Sequence, residues 1–383
     1  MTSAIRRRLH NAALEEKEVA RRLHAPAVTE RRRRARAFLE EWEEELLEHF
    51  ADGSEVEPSE IKPRLVLVET EEQQRLFRYA ALHWSIPVSS GYGRRIRFLV
   101  MDSSNKKLIG LIGLGDPVYG LRDRDNWIGW DAQHRRERLR CVMDAFVLGA
   151  VPPYSALLGG KLVAALATSK VVQDQFWRQY ANRRALISRT AQRDRLVLIT
   201  TASAYGRSSV YNRVRLNRRD LWTHVGYTSG HGEFLFGGRL YERLVAYVDK
   251  YGVPTARHVR WKSKRDAGTR AAKVPVPKTK LQWRNRREVV RTALTLLGLP
   301  YSLHVHGLRR GIYAAPLGEA AIEWLRGSAR TPRLRPLSVK QIGQAAVERW
   351  MVPRSLRDGN WKLWQAENMR LWSVSRDRQQ NIR

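Results

Sequence analysis

Residues 95–114 read Arg-Ile-Arg-Phe-Leu-Val-Met-Asp-Ser-Ser-Asn-Lys-Lys-Leu-Ile-Gly-Leu-Ile-Gly-Leu. Two apolar runs, Arg95 to Met101 and Leu108 to Leu114, flank a polar turn at Asp102 to Lys107, which predicts a pair of strands. Leu65 to Val68 is a shorter apolar run upstream. Leu196 to Thr200 and Gly311 to Ala315 predict further strands downstream. Val142 to Leu148 and Ala156 to Thr168 are richer in helix formers, and Gln175 to Arg184 reads as an amphipathic helix. Tyr241 to Tyr251 and Arg287 to Leu297 read as helices, the second stopped by Gly298 and Pro300. Ala320 to Arg326 predicts a helix closed by Gly327, and the chain from Ser338 is helical and rich in Trp and Arg. Helices and strands alternate irregularly, so the fold class is α+β.

The flanks carry charge. In residues 1–51, Ala35, Phe38, Leu39, Trp42, Leu46 and Phe50 make one apolar stripe, which predicts a helical basic arm. Arg31, Arg32, Arg33 and Arg34 fall at the start of that helix and Glu43 to Glu45 nearer its end. This order opposes the helix dipole and points to phosphate contact. Residues 52–63, with Pro58 and Pro63, read as a linker. The expected organisation continues as an α/β core over 64–250, a basic loop over 251–291, and an α/β and helical C-terminal region over 292–383.

The 383 residues hold 70 Lys and Arg against 38 Asp and Glu, a net charge of +32, and 43% are hydrophobic. That surplus exceeds what solubility requires and implies a polyanionic partner, with a core large enough to exclude a disordered basic tail. Nucleic acid is the first partner, DNA ahead of RNA. One cysteine, Cys141, rules out an internal disulfide framework and makes the cytoplasm the expected location. No apolar stretch reaches the roughly 18 residues of a membrane helix, so no membrane partner is expected. The segment Arg257 to Arg291 has 13 Lys or Arg against two acids, a net of +11. Trp261, Lys262, Lys264, Arg265, Trp283, Arg284, Arg286 and Arg287 there combine phosphate-binding cations with stacking rings. The Val-Pro-Val-Pro at 274–277 prevents one continuous helix.

Three constellations could carry chemistry. Arg124-Asp125-Asn126-Trp127-Ile128-Gly129-Trp130-Asp131 sets two Trp beside a charged pair, with Arg135 and Arg136 following. Trp127 and Trp130 could stack bases and Asp125 could accept a proton; alternatively both Trp are core and Asp125 is a helix cap. Gly226-Tyr227-Thr228-Ser229-Gly230-His231-Gly232 could hold an anion on its amides through Gly226, Thr228 and Gly230, or be a tight hairpin turn. It matches neither a Walker loop nor a dinucleotide fingerprint. Tyr205 to Arg213 follows a strand end, where α/β proteins place ligands, and offers Arg207, Tyr211 and Arg213. His304 and His306 are the only close histidine pair, and no metal site is expected.

Taken in order, several segments resemble the Druantia A family of bacterial anti-phage defence proteins. Gly91-Tyr92-Gly93-Arg94-Arg95-Ile96-Arg97-Phe98-Leu99-Val100 is similar to its entry strand. Arg124-Asp125 with Trp127-Ile128-Gly129-Trp130 matches its Arg-Asp-x-x-Ile-Gly-Trp core. Trp222 with Gly226, Thr228 and Gly230, then His306-Gly307-Leu308-Arg309-Arg310 with Tyr313, Pro316-Leu317 and Leu325-Arg326-Gly327, resemble later signatures, as do Arg349-Trp350 and Pro353-Arg354. Two positions depart. A family stretch Asn…Arg-Phe-Leu-Ile-Leu-Pro is represented by Asp144 to Gly149 without its Arg, and an acid near residue 198 is replaced by Thr200 or Thr201. The resemblance implies a GNAT-like mixed-sheet core and companion defence proteins, a helicase among them. The acyl-CoA pyrophosphate loop of active GNAT enzymes is not found in the sequence, so the cofactor is unknown. These readings leave a nucleic-acid-binding component first, a GNAT-like transferase acting on nucleic acid through Asp125 and Tyr211 second, and a metal-dependent nuclease third.

Overall fold

The structure is a computed structural model that describes residues 2–86, 88, 93–181, 195–216, 218–230, 236, 238–253, 286–305 and 307–372. Contacts divide the chain into two units, 1–228 with 309–383, and 229–308.

In the first unit, α1 (Thr2–Arg34) and α2 (Arg36–Leu47) precede β1 (Pro63–Leu67) and α3 (Glu71–Ala81). The pair β2 (Arg95–Asp102) and β3 (Leu108–Gly115) follows, as the sequence predicts. Short helices α4 (Arg122–Ile128) and α5 (Ala132–Arg138) lead to β4 (Val142–Ala150), α6 (Gly159–Leu166), α7 (Lys170–Tyr180) and β5 (Leu198–Ala202). A small ribbon of β6 (Arg215–Leu216) and β7 (Arg219–Asp220) precedes β8 (Thr223–Tyr227).

The second unit, inserted in the chain after β8, pairs α8 (Gly238–Tyr251) with α9 (Arg286–Leu296). It has its own apolar core of Leu244, Val248, Val289, Val290, Ala293 and Leu294. The first unit resumes with β9 (Gly311–Pro316), α10 (Ala321–Arg326) and α11 (Val339–Ala346).

The main sheet runs β1-β2-β3-β4-β5-β9-β8. Every neighbouring pair is antiparallel except β4 and β5, which run parallel. This mixed sheet with its helices is the α+β class the sequence implied. Its two faces are covered by different elements. Ile96, Phe98 and Val100 of β2 join one core with Leu162, Val163 and Phe176 of α6 and α7. Leu99 joins another with Phe38, Leu39, Leu76 and Phe77 of α2 and α3. A strand covered on both faces reads as a continuous apolar run, and every residue of β3 is buried.

Three local expectations change. Val142 to Leu148 is a strand, because pairing with β3 and β5 outweighs the propensity of its Met, Ala and Leu. Arg31 to Arg34 close α1 instead of opening a helix, the chain breaking at Ala35. There the basic residues agree with the dipole. The stretch 52–63 is packed: Gly53, Val56 and Ile61 are buried, and Gly53 N–H donates to the Trp364 carbonyl at 2.7 Å.

Glu43, read from sequence as part of an acidic run, is buried. It accepts the Tyr79 hydroxyl at 3.0 Å and the amides of Leu371 and Trp372 at 2.7 and 2.9 Å. The Tyr79 hydroxyl also reaches the Met369 carbonyl at 2.8 Å, so Glu43→Ala leaves two amides unpaired and should cost roughly 2–4 kcal/mol, at about 1–3 per buried group. It should also make the chain around residue 371 sensitive to limited proteolysis; an unchanged urea midpoint with unchanged cleavage would show that the tether is idle.

Candidate functional site

The parallel pair is short. Val142, Met143 and Asp144 face Leu198, Ile199 and Thr200, and there the register ends although β4 continues to Ala150. Beyond it, side chains take over β4's carbonyls: Thr201 Oγ1 donates to Ala145 O at 2.9 Å and the Tyr211 hydroxyl to Leu148 O at 3.0 Å. At the last paired rung Thr200 Oγ1 donates to Asp144 Oδ1 at 2.8 Å. The junction therefore holds a carboxyl on β4 that is paired with a hydroxyl on β5.

Arg310, just before β9, closes the other side. Its Nε donates to Ser203 O at 2.5 Å and its Nη2 to Ala202 O at 3.0 Å. Burial pushes the Asp144 carboxyl up, with the Thr200 hydrogen bond and the Arg310 and Arg124 guanidiniums opposing the shift. Burial also lowers Arg310, while Asp144, Tyr211 and Tyr205 act the other way. The Tyr211 phenol is pushed up to about 12, chiefly by burial. Tyr313 stacks 5.2 Å from Tyr211 and 5.2 Å from His224, which lies 4.7 Å from Tyr227. His224 is lowered by burial and by Arg207. A carboxyl, a guanidinium and two phenols with shifted titration, grouped at a strand end, can exchange protons and stabilise developing negative charge.

Of the residues predicted from sequence, Tyr211 lies in this cluster and Asp125 does not line it. Asp125 accepts from Arg124 Nε at 2.8 Å, Leu121 N at 2.9 Å and Arg135 at 3.4 Å. It touches the cluster only through Arg124, whose charge acts on Asp144. Trp130 is buried and Trp127 half-buried, both packed with Ile128 and Leu325, so Trp130 offers no face to a base. Arg135 lies over the Tyr119 ring at 4.8 Å, and Arg136, Arg207 and Arg213 are exposed.

Gly226 sits within β8 at a φ of +148°, not in a hairpin turn, and an added Cβ would lie 2.1 Å from Asp123 Oδ2. That carboxylate accepts the Tyr227 N–H at 2.8 Å, so an amide between two of the predicted anion-binding positions already serves an acid of the protein itself. Thr228 pairs with Arg310 through both backbone and hydroxyl. In the second unit, Gly230 accepts the Gly307 N–H at 3.0 Å.

Arg33 and Arg34 pair with Glu30 at 2.7 and 2.6 Å, Arg32 Nε donates to Leu82 O at 3.4 Å, and Arg31 is half-buried. In α9, Arg286 lies 4.6 Å over the Tyr241 ring and Arg287 donates to the Tyr301 hydroxyl at 3.0 Å. Trp261, Lys262, Lys264, Arg265, Trp283 and Arg284, and His231, Gly232 and His306, lie outside the described residues. Among the described residues no three of His, Cys, Asp and Glu converge as metal ligands, and no helix is long and apolar enough to cross a membrane.

The fold and site define a basic mixed-sheet protein with a polar cluster at the parallel β4–β5 junction. A family model described as Druantia protein DruA matches residues 14–327. A Druantia protein DruA of Escherichia coli (strain UMEA 4076-1) is 41% identical over 355 residues, covering 92% of this chain and 83% of that protein. The chain belongs to the DruA family. No solved structure matches it.

Proposed function

We propose that this chain is the nucleic-acid-binding component of a Druantia anti-phage defence system, acting in the cytoplasm beside companion proteins such as a helicase. One observation carries this reading: cations are held against one another. The charge of Arg78 lowers Arg31, that of Arg95 lowers Arg97, and those of Arg213 and Arg349 lower Lys161, each beside a larger effect of burial. Such pairs cost stability in the free protein and are relieved when a polyanion replaces condensed counterions. Guanidiniums also lie flat on rings, Arg75 over Trp42 at 3.5 Å and Arg78 over Phe38 at 4.0 Å, which presents planar faces to bases.

The test is a salt titration of binding to a labelled duplex of about 30 base pairs and to the matching single strand. Sub-micromolar affinity near 50 mM salt, falling linearly on a log–log plot, is expected. Arg31→Gln with Arg78→Gln should weaken all sequences alike and reduce the salt slope by about 1. No binding at about 50 mM salt overturns the reading.

The Asp144 cluster favours a second reading, a transferase on a GNAT-like core. The parting of β4 and β5 beyond Asp144 and Thr200 supports it. Against it, Thr201 and Tyr211 occupy the carbonyls along the gap, and the Gly159 and Lys161 amides at the start of α6 are already bonded to Tyr154 O and Leu158 O. Mass spectrometry of DNA from expressing cells separates the two readings, since only the transferase adds mass to a base.

A further inference from the structure

Lys161 stands in the first turn of α6, away from the Asp144 cluster's own hydrogen bonds. Its Nζ donates to the Asn212 carbonyl at 2.6 Å, which sets the ammonium beside Arg213. The same Nζ lies 6.0 Å from the Trp350 ring, next in the chain to Arg349. Arg213 has a left-handed backbone, φ +57°. A long side chain adopts that conformation at a cost, so the loop presents Arg213 against its local preference.

Arg213 and Arg349 are exposed and Lys161 is half-buried. Among the described residues none of the three forms an ion pair. Glu348, next to Arg349 in the chain, accepts Gln344 Nε2 at 3.0 Å, and Asp358 pairs with Arg354 at 2.9 Å. Burial and the two guanidiniums together push the Lys161 ammonium down, as expected where a counter-charge is missing. Arg207, on the loop that carries Arg213, is exposed and acts on Tyr313 and His224. A strand following this loop would meet the Lys161 cluster at one end and Arg207, beside Tyr313 and His224, at the other.

We propose that Lys161, Arg213 and Arg349 form a binding site for one phosphate group, filled by a phosphodiester of a nucleic-acid strand. The choice of a strand over a free phosphorylated ligand rests on the nucleic-acid reading above; the site itself does not. Two guanidiniums and an ammonium supply the multiple charged donors that phosphate oxygens accept.

Two probes test it on the full chain. The first is inorganic phosphate against chloride at constant ionic strength, read as thermal midpoint. The second is the salt slope of duplex binding. The variants are Arg213→Asn with Arg349→Gln, which keeps the Lys161 bond and tolerates the left-handed backbone, and Lys161→Met alone. Phosphate should raise the wild-type midpoint and not that of either variant, and the slope should fall by about 0.9, one phosphate. Equal phosphate stabilisation of wild type and variants, or none in either, overturns the site. A phosphate effect lost in the variants with an unchanged DNA slope overturns the strand as its source and assigns a free phosphorylated ligand. If the wild type binds no nucleic acid, the functional reading fails by itself, and the phosphate arm alone decides the site.

Discussion

Replacing Arg124 with Met should destabilise the protein by about 3–5 kcal/mol, the range for breaking a buried ion pair from one side. Arg124 is fully buried and is the largest fully buried side chain among the described residues. Its Nη1 donates to Val118 O at 2.9 Å and its Nη2 to Tyr119 O at 3.1 Å. The remaining face meets Asp125, with Nε and Nη2 at 2.8 and 2.7 Å from Oδ1. Met fills much of the same volume but leaves two carbonyls and a carboxylate short of donors. Asp125 keeps Leu121 N, Trp130 Nε1 at 3.3 Å and Arg135, which places the loss short of outright unfolding. Arg124→Lys should recover less than half, because an ammonium cannot supply the planar fork. In Arg124→Met with Asp125→Asn, the double variant should lose less than the sum of the singles. Urea midpoints of these variants and of Asp125→Asn alone measure the effects; a loss below about 1 kcal/mol for Arg124→Met would show that the motif's charged pair is not what holds this loop.

That motif was legible because its partners are neighbours in the chain. The β2–β3 pair was legible for the same reason, since its turn and both apolar runs fall within one window. Val142 to Leu148 was misread because nothing inside it marks a strand; its identity comes from β3 and β5 on either side. The break at Ala35 carries no Gly or Pro, so two helices read as one. Pro58 and Pro63 suggested a linker, but Val56 and Ile61 between and before them anchor the segment in the core.

The Asp144 cluster was the least legible feature. Asp144 and Thr200 are 56 positions apart and Ser203 and Arg310 are 107 apart, and only the sheet register brings them together. Two signals were available. Asp144 is a lone carboxyl in the apolar run Val-Met-Asp-Ala-Phe-Val-Leu, and Arg310 is a cation directly preceding the apolar strand Gly311–Pro316. A charge inside a stretch that is otherwise core is costly unless it has a task or a partner. Tyr211 was found for a different reason, its place after a strand end.

Asp144→Asn should then stabilise the fold while abolishing what the cluster does. The carboxyl is held above its ordinary range by burial. Below that ordinary range it is protonated in both states and adds no pH dependence. As pH rises, the unfolded chain releases the proton first, the folded state binds more protons, and stability falls until the folded carboxyl also ionises. Asparagine has no proton to lose, and its amide oxygen can still accept from Thr200 Oγ1. The variant should therefore match wild type at about pH 3, below the ordinary carboxyl pKa of roughly 3.9, and exceed it near pH 7 by roughly 1–2 kcal/mol, the usual gain from relieving a strained functional position. On the transferase reading, where a carboxyl used for proton transfer contributes about 100-fold or more in rate, protection of expressing cells against phage should drop to background, with DNA binding unchanged. Urea midpoints from about pH 3 to 8, read beside plaque counts, give both halves. A variant less stable than wild type at pH 7 would mean that Asp144 is ionised as a structural partner of Arg310, and full protection would remove the carboxyl from the chemistry.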